Sequence, residues 1–355
     1  MKIFKSLISL CAIIGLLVSL TGCPTVANRE NSKNPQGMVN FTFFDTVSYV
    51  YSYAGDSKEE FEANSEGVFE ILGEYHKLFD IYYEHSGVTN LKTLNRNAGG
   101  EPMVVDEKLI DFLLYAKELY EATDGEMNIM MGSVLSLWHD CRDAASTDPT
   151  NARIPTDEEL EEANRHTDMS CLEIDAENNT VRIADPEASI DVGALGKGYA
   201  TEKAAEYLRS QGADGYVLNI GGNIRIVGHK PDGSGWNTGI KNPHNTDTYA
   251  LYLVLADTSC VTSGDYERFY TVKGKRYHHI IDKDTLMPAD YFSSVTIIAD
   301  DSGLADALST ALFAMSYEDG LALVEKIGGV EVFWVAKDGT QYMTEGLEDL
   351  IKPTN

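Results

Sequence analysis

The stretch Asp191-Val192-Gly193-Ala194-Leu195-Gly196-Lys197-Gly198-Tyr199-Ala200 decides how the rest of the chain is read. Residues 189–192 read as the end of a strand, small residues then make a turn, and helical spacing runs over 195–211. Strands follow at 215–220, 223–228 and 249–256, then a hairpin of 267–273 and 276–282 around Gly274, and a strand at 293–299. Helices at 302–314 and 317–327 precede a last strand pair within 330–343. Upstream, 41–53 alternates Phe, Thr, Val and Tyr as a strand does, while Phe61, Val68, Leu72, Tyr75 and Leu78 place a helix over 57–80. Asp106 caps another helix, which Thr123-Asp124-Gly125 ends. Thr156 with Glu159 is a capping box opening a short acidic helix over 157–166, and Asn178-Asn179 marks a turn. Strands and helices come in mixed order rather than strict alternation, so the class is α+β. A helix-rich first half and a strand-rich second half suggest two interlocked lobes, with mixed or antiparallel sheets and flanking helices.

The N-terminus carries a different message. Lys2 and Lys5 precede an uncharged, Leu-rich run over 6–21 that ends in Leu20-Thr21-Gly22-Cys23. Positive charge, a short apolar stretch and small residues before a cut describe a secretory signal over 1–22. A Cys at the cut makes it a lipoprotein signal, with Cys23 lipidated and the protein held on the extracytoplasmic face of the cell membrane. Residues 23–40 read as a flexible tether and 41–345 as the folded body. With 56 acidic against 28 basic residues, a formal charge of −28 argues against nucleic acid and against adhesion to anionic lipid by charge. Cys141, Cys171 and Cys260 remain in the body, an odd number without metal-ligand spacing.

Three segments concentrate groups able to do chemistry. The turn before the helix at 195 offers backbone N–H groups, a partial positive charge and Lys197, a setting suited to phosphate. Its glycines also read as simple caps, and its spacing fits neither the P-loop nor the dinucleotide fingerprint. Asn219-Ile220-Gly221-Gly222-Asn223 reads as a tight turn between strands, or as a backbone surface for a flat ring. Asp306 and Thr310 stand four apart on one helical face, where a carboxylate and a hydroxyl can offer oxygen to a hard cation such as Mg²⁺, or simply face solvent. His279, in a strand, is a candidate general base or a structural histidine.

In order along the chain, the run D-x-G-x-x-x-K-G-Y-A at Asp191–Ala200, Leu218–Asn223 with Gly228, Thr262–Phe269, His279–Asp282, and Ala305-Asp306 with Thr310-Ala311-Leu312 resemble the ApbE-like FAD:protein FMN transferases. The resemblance covers Phe41 to Glu325. It implies a T-shaped α+β fold that binds FAD between lobes, with Mg²⁺ on the pyrophosphate. It further implies transfer of FMN to a Thr or Ser hydroxyl of an exported or membrane flavoprotein, with release of AMP. Carried over by position, the metal ligands are the Ala194 backbone oxygen, Asp306 and Thr310, with Ser309 nearby. The FAD contacts are Phe44, Tyr82, Glu126, Met127, Asn128, Asp191, Lys197, His279 and Ile280, and the catalytic pair is His279 and Asp306. The chain departs from the family pattern at Phe44, where many members have Met, and at Glu126-Met127-Asn128, where they have Ala-Phe-Asp. It departs again at Asp282-Lys283-Asp284-Thr285-Leu286, where the family has Asp-Pro-x-Thr-Gly. Two alternatives stay open at this stage: hydrolysis of FAD to FMN and AMP, and a flavin-binding lipoprotein without turnover.

Overall fold

The computed structural model describes residues 35–353; the signal at 1–22, Cys23 and the tether as far as residue 34 lie outside the described residues. In chain order, β1 (Gln36–Asn40) and β2 (Ser48–Ser52) precede α1 (Lys58–Phe79), α2 (Leu91–Arg96), β3 (Met103–Val104), α3 (Glu107–Ala122), α4 (Gly132–Thr147) and α5 (Asp157–Asn164). Next come β4 (Leu172–Asp175), β5 (Thr180–Ile183), α6 (Gly196–Ser210), β6 (Tyr216–Ile220), β7 (Asn223–Val227), β8 (Trp236–Asn242) and β9 (Asn245–Leu255). The chain closes with β10 (Ser259–Gly264), β11 (Phe269–Val272), β12 (Lys275–His278), β13 (Phe292–Ala299), α7 (Ser302–Ala311), α8 (Tyr317–Ile327), β14 (Glu331–Ala336) and β15 (Gln341–Met343).

The expected α+β class is what the structure shows. An eight-stranded sheet in the order β1-β2-β6-β7-β10-β13-β14-β15 draws strands from both ends of the chain, and each neighbouring pair is antiparallel. All eight residues of β13 are buried, because α7 packs on one side of it and its neighbours close both edges. The largest core joins α1, α3 and α6 to β6, through Leu72, Phe79, Phe112, Ala204 and Leu218. A second core lies between β13 and β14 and the helices α7 and α8, around Leu308, Leu323 and Trp334.

Helix boundaries follow the caps. Ser57 with Glu60 and Thr156 with Glu159 form complete capping boxes, and the Asp106 carboxylate accepts the N–H of Lys108. Three expectations change. First, the strand expected over 41–53 is confined to β2, with a turn at 41–47 before it, and the stretch assigned to the tether up to residue 40 ends in β1. Gln36–Asn40 pairs residue for residue with Ser48–Ser52, so backbone bonding orders a segment whose side chains have little to bury. Second, the body continues past 345: Leu347 is fully buried and Ile351 bridges Leu253. Third, 189–192 forms no strand beyond a bridge from Ser189 to Met131, because the Asn95 side chain satisfies both the N–H (2.8 Å) and the C=O (2.9 Å) of Ile190. Gly221 and Gly222 form the tight turn between β6 and β7, with Asn219 Oδ1 accepting the Gly222 N–H at 3.0 Å. Cys141, Cys171 and Cys260 are free thiols, and burial pushes Cys260 up to about 12, which keeps it protonated and unreactive.

Candidate functional site

The site is built where the N-terminus of α6 meets α7. Asp306 is buried at 4% exposure, and its Oδ2 accepts the backbone N–H of Gly198 at 2.8 Å. Its Oδ1 lies 3.5 Å from Lys197 Nζ. Glycine is required at 198, since a Cβ there would collide with the Ser302 carbonyl oxygen and Asp306 Cβ. Gly198 N–H would ordinarily bond the carbonyl four residues back, Ala194. It donates to Asp306 instead, and among the described residues no hydrogen bond reaches the Ala194 oxygen. Thr310, one turn beyond Asp306 on α7 and half-buried, likewise has a hydroxyl with no hydrogen bond among the described residues. Ser309 is engaged: its Oγ donates to Asp306 O at 2.9 Å and pairs with Ser263 Oγ at 2.8 Å, tying α7 to β10.

This donor set suits a hard cation. A carboxylate, a carbonyl oxygen without a donor and an uncommitted hydroxyl are all-oxygen ligands, the kind Mg²⁺ takes, and no soft ligand stands among them. The junction is braced from behind by Glu202, one helical turn along α6. Its carboxylate accepts from the buried Arg225 (2.9 Å), from Arg209 (3.0 Å) and from the Ser302 N–H that starts α7 (2.9 Å). Such a buried ion pair holds geometry more surely than it adds stability.

His279 follows β12. Its backbone N–H and its Nδ1 both meet the Arg268 carbonyl oxygen, at 3.1 and 3.2 Å. A carbonyl only accepts, so Nδ1 carries the proton and the lone pair is on Nε2. Burial, joined by the Arg268 and Lys197 charges, pulls the imidazolium down to about 3, so the ring is neutral at physiological pH. Ile280 is a core residue whose carbonyl accepts from Ala289 N–H, so only its backbone faces other groups.

The remaining residues named from sequence divide in two. Asp191 Oδ1 accepts the Gly193 N–H at 2.8 Å, and its Oδ2 lies 3.9 Å from His139 Nδ1, which in turn stands 3.4 Å from the hydroxyl of the half-exposed Tyr82. Burial lowers His139, against the pull of Asp191. Phe44 sits at φ 54° with its ring edge-on to His76. Glu126 is half-buried and paired with Lys283 at 3.2 Å; burial pushes its carboxyl up against that pairing. Met127 and Asn128, by contrast, are committed to the fold. The Met127 side chain is in the main core, and the Asn128 amide bonds Thr167 O and Met130 N–H.

These motifs and their spacing are those of a known family, and the ApbE family matches residues 44–334. The chain belongs to the ApbE family. Among its relatives, the FAD:protein FMN transferase of Treponema pallidum is 32% identical over 322 residues, 86% of each chain. The FAD:protein FMN transferase of Vibrio cholerae is 30% identical over 319 residues, 89% of this chain and 90% of that one. The crystal structure of the ApbE protein of Thermotoga maritima superimposes with a TM-score of 0.78 at 30% identity, covering 90% of this chain and all of the other. The flavin transferase ApbE of Vibrio cholerae gives 0.73 at 26% identity, covering 89% and 99%.

Within this ApbE family member, the altered turn after His279 is closed by hydrogen bonds, the Leu286 N–H donating to the Asp282 oxygen at 2.8 Å. Asp282 Oδ1 accepts the N–H groups of Asp284 and Thr285, and Leu286, at the position of the family's glycine, adopts φ 57°. The Leu286 side chain is buried beside Trp138, whose Nε1 donates to the Leu286 oxygen at 3.0 Å. Sequence reasoning missed His139 together with the whole of α4. Its apolar residues Val134, Trp138, Cys141 and Ala145 do recur at helical spacing, but Met131 at the cap supplies no side-chain signal.

Proposed function

We propose that the protein transfers FMN from FAD to a Thr or Ser hydroxyl of an exported or membrane flavoprotein and releases AMP. The observation that carries this reading is the Asp306–Gly198 bond, which sets a carboxylate at a helix N-terminus beside Lys197 and leaves the Ala194 oxygen free. In this reading Ala194 O, Asp306 and Thr310 hold Mg²⁺, which when bound offsets the charge of the pyrophosphate and polarises the phosphoryl group under attack. Lys197 and the start of α6 meet the phosphate oxygens. Neutral His279 accepts the proton of the acceptor hydroxyl through Nε2 as that oxygen bonds to the FMN phosphorus. The bond from that phosphorus to the AMP oxygen breaks, and AMP leaves with the electron pair. Tyr82 and Phe44 offer ring faces to the flavin, while Met127, Asn128 and Ile280 hold backbone in place around it.

The test is incubation of the protein with FAD, Mg²⁺ and a Thr-bearing acceptor domain, followed by mass analysis. Covalent FMN on the acceptor with stoichiometric AMP is expected; free FMN and AMP alone would establish hydrolysis, and intact FAD a binding protein. The same proposal puts the enzyme on the extracytoplasmic face, lipid-anchored through Cys23. It is supported by the charge pattern of 1–22 and the polar run after it. Among the described residues no helix is long and apolar enough to cross a membrane. Cys23→Ala should release the protein from the membrane fraction, and unchanged partitioning would refute the anchor.

A further inference from the structure

A second cluster plays no part in the reading above. His76 is in the last turn of α1, and Asp80 closes that helix four residues on, so both side chains stand on one face. The chain then turns back, because Asp80 Oδ1 accepts the N–H groups of Tyr82 (2.8 Å) and Tyr83 (2.9 Å). That turn delivers His85, whose Nε2 lies 2.9 Å from Asp80 Oδ2. One ligand-capable atom from each of the three residues falls within 4.8 Å of the other two. Asp80 is buried and both histidines are half-buried.

We propose that His76, Asp80 and His85 form a site for a first-row divalent transition metal of the Zn²⁺ type. Two imidazoles and a carboxylate suit such ions, whereas Mg²⁺ and Ca²⁺ take oxygen ligands. The cluster and the all-oxygen donors around Asp306 therefore select different ions. Two ligand atoms each about 2.0–2.1 Å from a common Zn²⁺ in tetrahedral geometry stand about 3.3 Å apart. The Asp80–His85 pair, hydrogen-bonded at 2.9 Å, need open by only about 0.4 Å to admit the ion. The two backbone amides on Asp80 Oδ1 fix the carboxylate from behind, as outer-sphere partners of metal ligands do, and leave Oδ2 to bind. Three protein ligands leave the remaining position to water.

A hydrogen bond accounts for the Asp80–His85 pair but not for the third member. The hydrogen bond at His76 is a long one, 3.4 Å from the Phe44 N–H to Nδ1. Metal capture ends it whichever ring nitrogen binds: Nδ1 either spends its lone pair on the metal or carries the proton when Nε2 ligates. Phe44 and Asp45 are both held at positive φ, 54° and 50°. Loading the site therefore removes the backbone tie of Phe44 to α1 while the Phe43 and Phe44 rings stay packed on that helix, which links the metal to a residue proposed as a flavin contact.

The experiment uses the full mature chain, stripped with a chelator and titrated with Co²⁺, then Zn²⁺, with Mg²⁺ in excess throughout. One equivalent of Co²⁺ should bind with visible d–d absorption that Zn²⁺ abolishes and Mg²⁺ does not. His85→Gln and His76→Gln, checked for folding by circular dichroism, should each weaken binding by more than the roughly 10–100-fold that loss of an outer-sphere partner costs. His244→Gln, on the exposed surface, should not. Absence of stoichiometric Co²⁺ binding in the unsubstituted protein overturns the site whatever the variants do, and so does unchanged affinity in both cluster variants. Faster hydrogen exchange of the Phe44 amide on loading is expected, and unchanged exchange there would refute the link to Phe44. None of these readouts depends on FMN transfer.

Discussion

Asp306→Asn separates the chemistry of the α6–α7 junction from its packing. The substitution changes one oxygen to an NH₂ group at almost constant volume, and the remaining oxygen can still accept the Gly198 N–H that Asp306 accepts at 2.8 Å. A hydrogen bond to a charged group contributes about 1.5–3 kcal/mol and a neutral one about 0.5–1.5, so roughly 1 kcal/mol is lost there. The 3.5 Å contact with the partly exposed Lys197 adds about 1 kcal/mol at most. Relief from burying a charge offsets part of both, so the net cost in urea unfolding should be near 1 kcal/mol, with an unchanged m-value. Turnover tells another story. Removing the only carboxylate of the proposed metal site should lower Mg²⁺-dependent release of AMP by at least about 10²–10³-fold, the scale on which loss of a single electrostatic stabiliser acts. The assay is AMP release against Mg²⁺ concentration, beside urea melts of the same preparations. Retention of more than about a tenth of the rate, or a stability loss above about 3 kcal/mol that by itself explains the lost activity, would refute the reasoning.

Gly198→Ala forces a methyl against Ser302 and Asp306; it should cost about 1–3 kcal/mol by overpacking and reduce turnover as Asp306 is displaced, and unchanged urea melts would contradict the close approach of α6 and α7. His279 resists protonation until about pH 3, far below its ordinary 6.5, so the rate should hold between pH 7 and pH 5 rather than halve near 6.5. Because the unfolded chain takes that proton below 6.5 while the folded one does not, the stability present above 6.5 is lost as pH falls toward 3. His279→Gln should flatten that slope and depress turnover by roughly 10²–10⁴-fold, and a stability–pH curve identical to that of the unsubstituted protein would count against it. At Leu286, the usual order of substitutions should reverse. Both Ala and Gly forfeit the buried side chain, but only Gly escapes the roughly 1–2 kcal/mol of left-handed backbone strain, so Leu286→Gly should unfold at higher urea than Leu286→Ala.

The sequence by itself determined what local chemistry can write. Caps at Asp106 and Thr156 set two helix starts, and the order of apolar periods set the α+β class. The spacing of five short motifs pointed to the family, and the pairing of Asp306 with Thr310 on one face of α7 needed only a helical period. Each of these signals operates over a few residues, within reach of a single turn or strand. Only the tertiary structure brought Gly198 to Asp306, 108 positions away, and so freed the Ala194 oxygen. It alone ordered β1, because an edge strand with few residues to bury is stabilised by backbone pairing that composition does not reveal. His139 beside Asp191 and Tyr82 belongs to the same class. A hydrogen bond between distant segments depends on where the backbone turns, and no periodicity in the intervening chain records it.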